Sequence, residues 1–380
     1  METITAVERV PIRGLAGSTA AFLGVARAGP FAAAPVESLP QFEAGYGDAA
    51  GLARADGANL PNFLWHAVKG FFDNGGRRVY VTRLKATQRD PTQVDQHALA
   101  QALQGLEANE EVSLLCAPGV GLAQGHAPLC DLLLRHCERT SGRFALLDTP
   151  ARVTPDEARA LRRCLQSDRG ALYYPWIAVE AAAPAAAGAG DAAGIAVPPS
   201  GHLAGLYADS DDQPGIHKAP ANLPIAGALG LERPIGDGDY GELAPLGVNC
   251  LRSPPGRRGA WVWGARTLGA GSAWNYVAVC RYLLYLRKAL EHGLQWVTAQ
   301  PGSRRLWEDV TALVSEFLYR EWRMGALMGA TSAEAYAVQC HPGVTNQGNA
   351  AALRATLAVG VALVQPAEFV RFSTEFAARA

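Results

Sequence analysis

At 380 residues the chain is too long for one small core, and its length suggests two domains or one domain with a large insertion. With 34 basic and 35 acidic residues the formal net charge is −1, which leaves no excess to drive binding to nucleic acid or anionic lipid. Hydrophobic residues at 49% and charged residues at 18% describe a folded chain whose surface is partly apolar and suited to burial against partners.

The first residues, METITAVERVPIRG, carry no basic run followed by an apolar one. No later stretch reaches the roughly 18 to 20 apolar residues needed to span a bilayer, so synthesis in the cytosol and no direct membrane insertion are expected. Thr3 to Val10 alternates β-formers with polar residues and stops at Pro11, the pattern of a strand with no local hairpin partner. Ser18 to Val25 reads as a buried strand and GPFAAAPV as the loop after it. In PNFLWHAVKGFF, Phe63, Leu64, Ala67, Val68 and Phe71 share one helical face, Asn74-Gly75-Gly76 stops the helix, and Arg78 to Arg83 is a strand.

From Pro91 to Val179 strands alternate with helices. Helices are expected over Val94 to Leu106, Pro128 to Ser141 and Pro155 to Leu165. Strands are expected over Val112 to Ala117, Phe144 to Asp148 and Ala171 to Val179. Gly119, Gly121 and Gly125 follow a strand, but their G-x-G-x-x-x-G spacing lacks the close third glycine of a dinucleotide-binding turn. Glu180 to Gly194 is an Ala/Gly/Pro loop too poor in large apolar groups to build a core.

Beyond it, IHKAPANLPIAGALGLERPI is held out of helix by Pro220, Pro224 and Pro234. Leu246 to Arg252 and Ala260 to Gly264 read as short strands flanking a Pro254-Pro255-Gly256 turn that carries Arg257 and Arg258. Tyr276, Val279, Leu283, Leu286 and Leu290 have the spacing of an amphipathic helix over Trp274 to Leu290. Leu294 to Thr298 is expected as a strand, Ser303 to Met324 as a helix, and Tyr336 to Cys340, Leu357 to Val364 and Phe369 to Phe376 as strands.

Catalytic signatures are missing: the sequence has no H-E-x-x-H, G-x-x-x-x-G-K-[ST] or G-x-S-x-G. The seven cysteines fall in no zinc spacing and read as small buried hydrophobes. Asp209, Asp211 and Asp212 beside Pro214-Gly215 read as a hydrated turn, with a metal site as the alternative. His217 reads as an edge or interface histidine. Arg252, Arg257, Arg258 and Arg266 fit an anion site or ion pairs with a neighbouring subunit equally well. No catalytic, cofactor-binding or metal residue is assigned, and no cofactor is expected.

Several runs together carry a resemblance: STAAFLG, AVKGFFDNGGRRVYVTRL, PPSGHLAGLYADSD, KAPAN, LAPLGVNCLRSPPGRRG, VWGARTL, the helix W-x-Y-V-x-V-x-R-Y, then TNQG and PAEFVRF. In this order they resemble contractile tail sheath proteins of phages, tailocins and extracellular injection systems, over residues 14 to 85 and 172 to 376. The resemblance implies an α/β fold: a mixed-sheet C-terminal sheath domain with an additional α/β middle region and exchanged terminal strand arms. The expected division is 1–30 as N-terminal arm and first core strand, 31–85 as assembly-core segment, 86–194 as a peripheral α/β region, and 195–380 as the C-terminal sheath domain.

The same resemblance implies a structural subunit and no enzyme. Copies would stack as six-subunit rings around an inner tube protein, with baseplate and tail-terminator or cap proteins as further partners. They would contract from a metastable extended state to drive the tube through a target envelope. Thr3, Ile4 and Val7, and Phe369, Val370 and Phe372, would form inter-subunit strand arms; Asn346, Gln347, Asn349 and Arg354 would face the tube. Two departures stand out: the P-G-V-Y-[VI]-E-E-like opening of the arm is absent, and acidic residues typical after T-N-T-Q are replaced by GNAAALRA. The competing reading is an α/β nucleotide or sugar transferase with its binding half at 86–180.

Overall fold

The computed structural model describes residues 11–14, 17–53, 59–86, 94–120, 126–181, 194–269, 273–344, 353–364 and 368–378. The chain divides into two compact units: a larger one over Ala16–Tyr282, and a smaller one formed by Leu283–Ala380 with the described residues before Leu15.

The larger unit is organised by a nine-stranded sheet. From one edge its order is Leu223–Pro224, Trp261–Val262, Val248–Arg252, Gly170–Tyr174, Phe144–Asp148, Leu114–Cys116, Ala20–Gly24, Val79–Arg83 and Ala34–Val36. The six strands from Val248–Arg252 to Val79–Arg83 are parallel, and antiparallel strands close both edges. Parallel strands need helical crossovers that cover both faces, which is why AAFLG, FALLD and GALYY are buried throughout and, Asp148 apart, carry no charge.

One face packs on helices Gln96–Leu106, His126–Arg139 and Pro155–Arg163, where Leu99, Leu103, Leu133, Leu134 and Ala158 meet Ala21, Leu23, Leu115, Leu147 and Leu172. The other face packs on helices Phe63–Asp73 and Ser200–Ser210. Phe22 and Phe71 meet edge to face at 5.6 Å, and the Tyr173 and Tyr207 hydroxyls hydrogen-bond at 2.6 Å. Ten of the eleven residues of Ser200–Ser210 are buried, so it shows no polar stripe. Its glycines let the two helices touch through backbone: a Cβ on Gly201 would lie 2.4 Å from Ala67 Cα, and one on Gly205 2.4 Å from the Phe71 carbonyl oxygen. A second, antiparallel sheet joins Ile195–Val197, Ile177–Val179 and Ala228–Leu231.

Helix Val277–Gly293 begins in the larger unit and carries the chain into the smaller. There, helix Arg304–Arg323 is capped by Ser303, whose hydroxyl oxygen accepts from the Leu306 N–H, and it buries Leu306, Val310, Leu313, Val314, Phe317 and Leu318. A three-stranded antiparallel meander follows: Tyr336–Val344, Leu353–Ala362 and Phe369–Ala378.

Several expectations need correction. Ala171 to Val179 is two strands in two sheets, broken at Pro175, which has no N–H to continue a ladder. Leu294 to Thr298 is not a strand: Gln295–Ala299 forms a 3₁₀ turn closed by the Thr298 hydroxyl donating to the Gln295 carbonyl. GPFAAAPV is not all loop, since Ala34–Val36 pairs with Val79–Val81 as the sheet's edge. The boundaries at 85/86 and 194/195 mark no separate body either. Strands Leu114–Cys116, Phe144–Asp148 and Gly170–Tyr174 of the supposed peripheral region lie inside the sheet, between Ala20–Gly24 and Val248–Arg252.

Candidate functional site

The expected arm and tube-facing residues fall unevenly. Thr3, Ile4, Val7, Asn346, Gln347 and Asn349 lie outside the described residues. Arg354 is in the middle strand of the meander, its backbone opposite Gly343 and Ala377. Phe369, Val370 and Phe372 are in the last strand, which pairs with Leu353–Ala362 of its own chain along its full length. Val370, Phe372 and Phe376 stand opposite Val361, Val359 and Ala355, on the face these buried residues share. Phe369 lies on the other face, beside Gly360. The apolar character of this strand therefore serves a face within its own chain. Its outer edge has no strand partner among the described residues, and neither does that of Tyr336–Val344.

The runs that carried the family resemblance build a set of brackets in the larger unit. The Asn249 amide accepts from the Arg266 N–H and donates to the Arg266 carbonyl, both at 2.7 Å. Gly264 is needed there because a Cβ would lie 2.8 Å from the Asn249 side-chain oxygen. The Thr267 hydroxyl donates to the Trp274 carbonyl at 2.7 Å, which sets the start of helix Val277–Gly293. On that helix the Arg281 guanidinium donates to both carboxylate oxygens of Asp211 and to the Gly17 carbonyl, with its cation 4.9 Å from the Tyr207 ring centre. Asp211 thus sits in a buried ion pair and not in a hydrated turn. Only Asp212, paired with Arg77, and Asp209, accepting from Gln213, keep the polar surroundings expected of the cluster.

Among the described residues no group of three or more His, Cys, Asp or Glu side chains could hold a metal ion. Arg252, read as an anion or inter-subunit residue, pairs with Asp237 of its own chain. His217 lies against Tyr282, and burial with nearby Lys218 lowers its pKa. Of the cysteines, Cys164 is exposed, Cys340 half-buried and the other five buried. Nothing in the sequence paired Arg281 with Asp211. The available signal was a lone arginine on the apolar side of a helix, between Val277 and Leu284.

A transferase of this architecture would bind its ligand beyond the carboxyl ends of the parallel strands. There, beyond Leu114–Cys116 and Phe144–Asp148, a cavity of about 20 Å³ is lined by Val120, His126, Leu129, Asp148, Thr149 and Trp176. That volume suits one water. Trp176 meets Phe63 edge to face at 5.3 Å, and the Asp148 carboxylate is occupied by the Ser200 N–H and hydroxyl, 2.8 and 2.6 Å away. Among the described residues, the crevice leaves no room for the nucleotide that the transferase reading needs.

Comparison with known proteins agrees with this geometry. Residues 92–268 match the family model described as the phage tail sheath protein central domain. The whole fold superposes on the sheath of the PVC extracellular contractile injection system in its contracted state, with a TM-score of 0.74 and 25% identity over 97% of this chain and 94% of the other. Residues 92–268 therefore carry the phage tail sheath central domain, and the chain has the fold of a contractile sheath protein. A second match is a chain of the 6-fold symmetrised anti-feeding prophage baseplate, with a TM-score of 0.73 and 25% identity over 97% of each chain. A putative prophage major tail sheath protein of Pseudomonas aeruginosa (strain UCBPP-PA14) is 29% identical over 223 residues, 58% of this chain and 55% of that relative. The matched stretch spans about half the length of that curated relative. The family is structural, and the transferase reading finds no support. No helix among the described residues is long and apolar enough to cross a membrane.

Proposed function

We propose that this chain is the repeating subunit of a contractile sheath. Copies polymerise as stacked six-subunit rings around an inner tube and contract from a metastable extended state, driving the tube through a target envelope without nucleotide hydrolysis. The superposition over 97% of the chain on a contracted sheath carries this reading. The meander supports it physically. Main-chain hydrogen bonds added at an open strand edge hold while rigid bodies pivot, and among the described residues both outer strands of the meander have an edge with no strand partner.

The residues before Pro11, with Thr3, Ile4 and Val7, are the proposed donor to a neighbour's edge, and Phe369–Ala378 is the second arm. Asn346, Gln347, Asn349 and Arg354 are the proposed tube contact. Baseplate and terminator proteins would meet the two ends of the assembly, which would form in the cytoplasm. Negative-stain microscopy of the chain expressed with its tube protein tests this reading. Particles tens of nanometres long are expected, and a small discrete oligomer would refute it.

A further inference from the structure

On the larger unit, the hairpin Val248–Arg252 and Trp261–Val262 buries Leu251 and Val262 and turns Arg252 and Trp261 outward as a cross-strand pair. Trp263, two residues beyond Trp261, shares that outer side. Arg252 is held between two rings, 5.3 Å from the Tyr240 centre and 5.5 Å from that of Trp263, and is pinned by Asp237 at 2.5 Å. Arg257, from the Pro254-Pro255-Gly256 turn, lies 4.6 Å from the Trp261 ring centre. Cations and aromatic faces alternate, and each arginine fixes the ring beside it, so little side-chain freedom is left to lose on binding.

This face stays open. Trp263 is 37% exposed, and Arg257, Arg258 and Arg266 are exposed with no carboxylate partner among the described residues. Pre-ordered tryptophan, tyrosine and arginine are the side chains that dominate the centres of protein interfaces. The unpaired arginines require carboxylates from whatever covers them. The nearby acids are Asp237 and Asp239, in the first turn of one short helix. The rest of the chain, 34 basic residues less these four arginines against 35 acidic less these two, is net acidic. A second copy can therefore supply the complementary charge, whereas the chain as a whole has no excess of positive charge for a polyanion.

We propose that the Tyr240, Arg252, Trp261 and Trp263 face, with Arg257, Arg258 and Arg266, is a contact surface for a carboxylate-bearing surface of a neighbouring copy of this chain. The proposal rests on the sheath reading and adds a side-chain contact to the strand arms. Trp263→p-benzoyl-phenylalanine, irradiated in assembled particles, should give a cross-linked species of twice the chain mass, absent from dilute monomer, with the captured peptide rich in Asp and Glu. Charge reversal at Arg258 and Arg266 to Glu should raise the concentration needed for assembly at least tenfold, with the circular dichroism melt unchanged because neither side chain makes an ion pair or ring contact among the described residues. Assembled particles with no self cross-link, a cross-link to the tube protein instead, or assembly unaffected by the reversal would overturn the contact while leaving the sheath reading intact. Failure of the unmodified chain to assemble with its tube would overturn the sheath reading, and this contact with it.

Discussion

Arg281 and Asp211 form a two-pronged ion pair with side chains only 3% and 4% exposed, and the same guanidinium reaches the Gly17 carbonyl at 3.1 Å. Three segments far apart in sequence are joined: the loop before the first sheet strand, the end of the buried helix Ser200–Ser210, and the helix through which the chain leaves the larger unit. Removing one partner strands a buried charge, which costs about 3–5 kcal/mol. Arg281→Met and Asp211→Leu should each lower the denaturation midpoint strongly. The double variant should lose less than the sum of the two, because no unpaired charge remains. Additive losses in a denaturant titration would show that the pair is not energetically coupled.

Two buried groups give opposite pH slopes. His202 has no partner for its Nδ1 among the described residues, and burial, with His66 and Lys69 nearby, pushes its pKa down to about 3. The unfolded chain binds this proton first as pH falls below about 6.5, so stability drops from there towards the folded value. His66, lowered to about 4 by burial and then by Lys69, adds to the same slope. His202→Phe keeps a ring against Gly70 and should flatten the acid limb of a stability-against-pH curve by about one proton.

Burial pushes Asp148 up to about 7 from 3.8, against the pull of the Ser200 donors. Its contribution is greatest below the unfolded pKa and is lost as pH rises through the folded one. Asp148→Asn, which still accepts from Ser200, should therefore be more stable than the parent at pH 8 and lack that part of the slope. Equal stability of the two chains at pH 8 would show that Asp148 is not raised.

The helix contact at Gly201 and Gly205 gives a steric test with an internal control. Gly201→Ala places a methyl against Ala67 backbone and should cost about 1–3 kcal/mol. Gly45→Ala, in helix Leu39–Tyr46 with nothing within 4 Å of the added carbon, should gain about 0.5–1 kcal/mol. Equal effects at both sites in thermal melts would argue against close backbone packing of the two helices.

Much of the larger unit was legible because a parallel strand buried on both faces leaves a mark in sequence: Ala20 to Gly24 and Phe144 to Leu147 are apolar runs bounded by turns, with periodic helices between. Ser200–Ser210 was not legible as a helix, since a segment buried all round has no amphipathic period. The Arg281 and Asp211 pair, 70 residues apart, was invisible to any local pattern. Phe369–Ala378 does lie at the edge of its sheet, but its phenylalanines alone do not place it there. Apolar side chains report on a strand's face, and only topology reports on its edge.

For the proposed arm, deletion of Met1 to Val10 should leave the melt of the subunit unchanged and abolish polymerisation, as read by sedimentation. Normal rings from the truncated chain would remove the N-terminal arm from the account.

At the proposed tube contact, the polar amides around Asn346, Gln347 and Asn349 offer few ion pairs, so attachment should weaken little between low and physiological salt, where screening acts over about 8–10 Å. Arg354→Ala should remove most of whatever salt dependence exists. Steep loss with salt in both chains, measured by co-sedimentation with tube, would place other charges against the tube.

Cryo-microscopy of purified particles before and after mild acid or denaturant, without nucleotide, tests whether the sheath stores its work in the extended state. Hollow tubes should become shorter and wider, with the subunit fold retained and the inner tube protruding. Particles whose length and diameter do not change, or that shorten only when ATP is added, would contradict it.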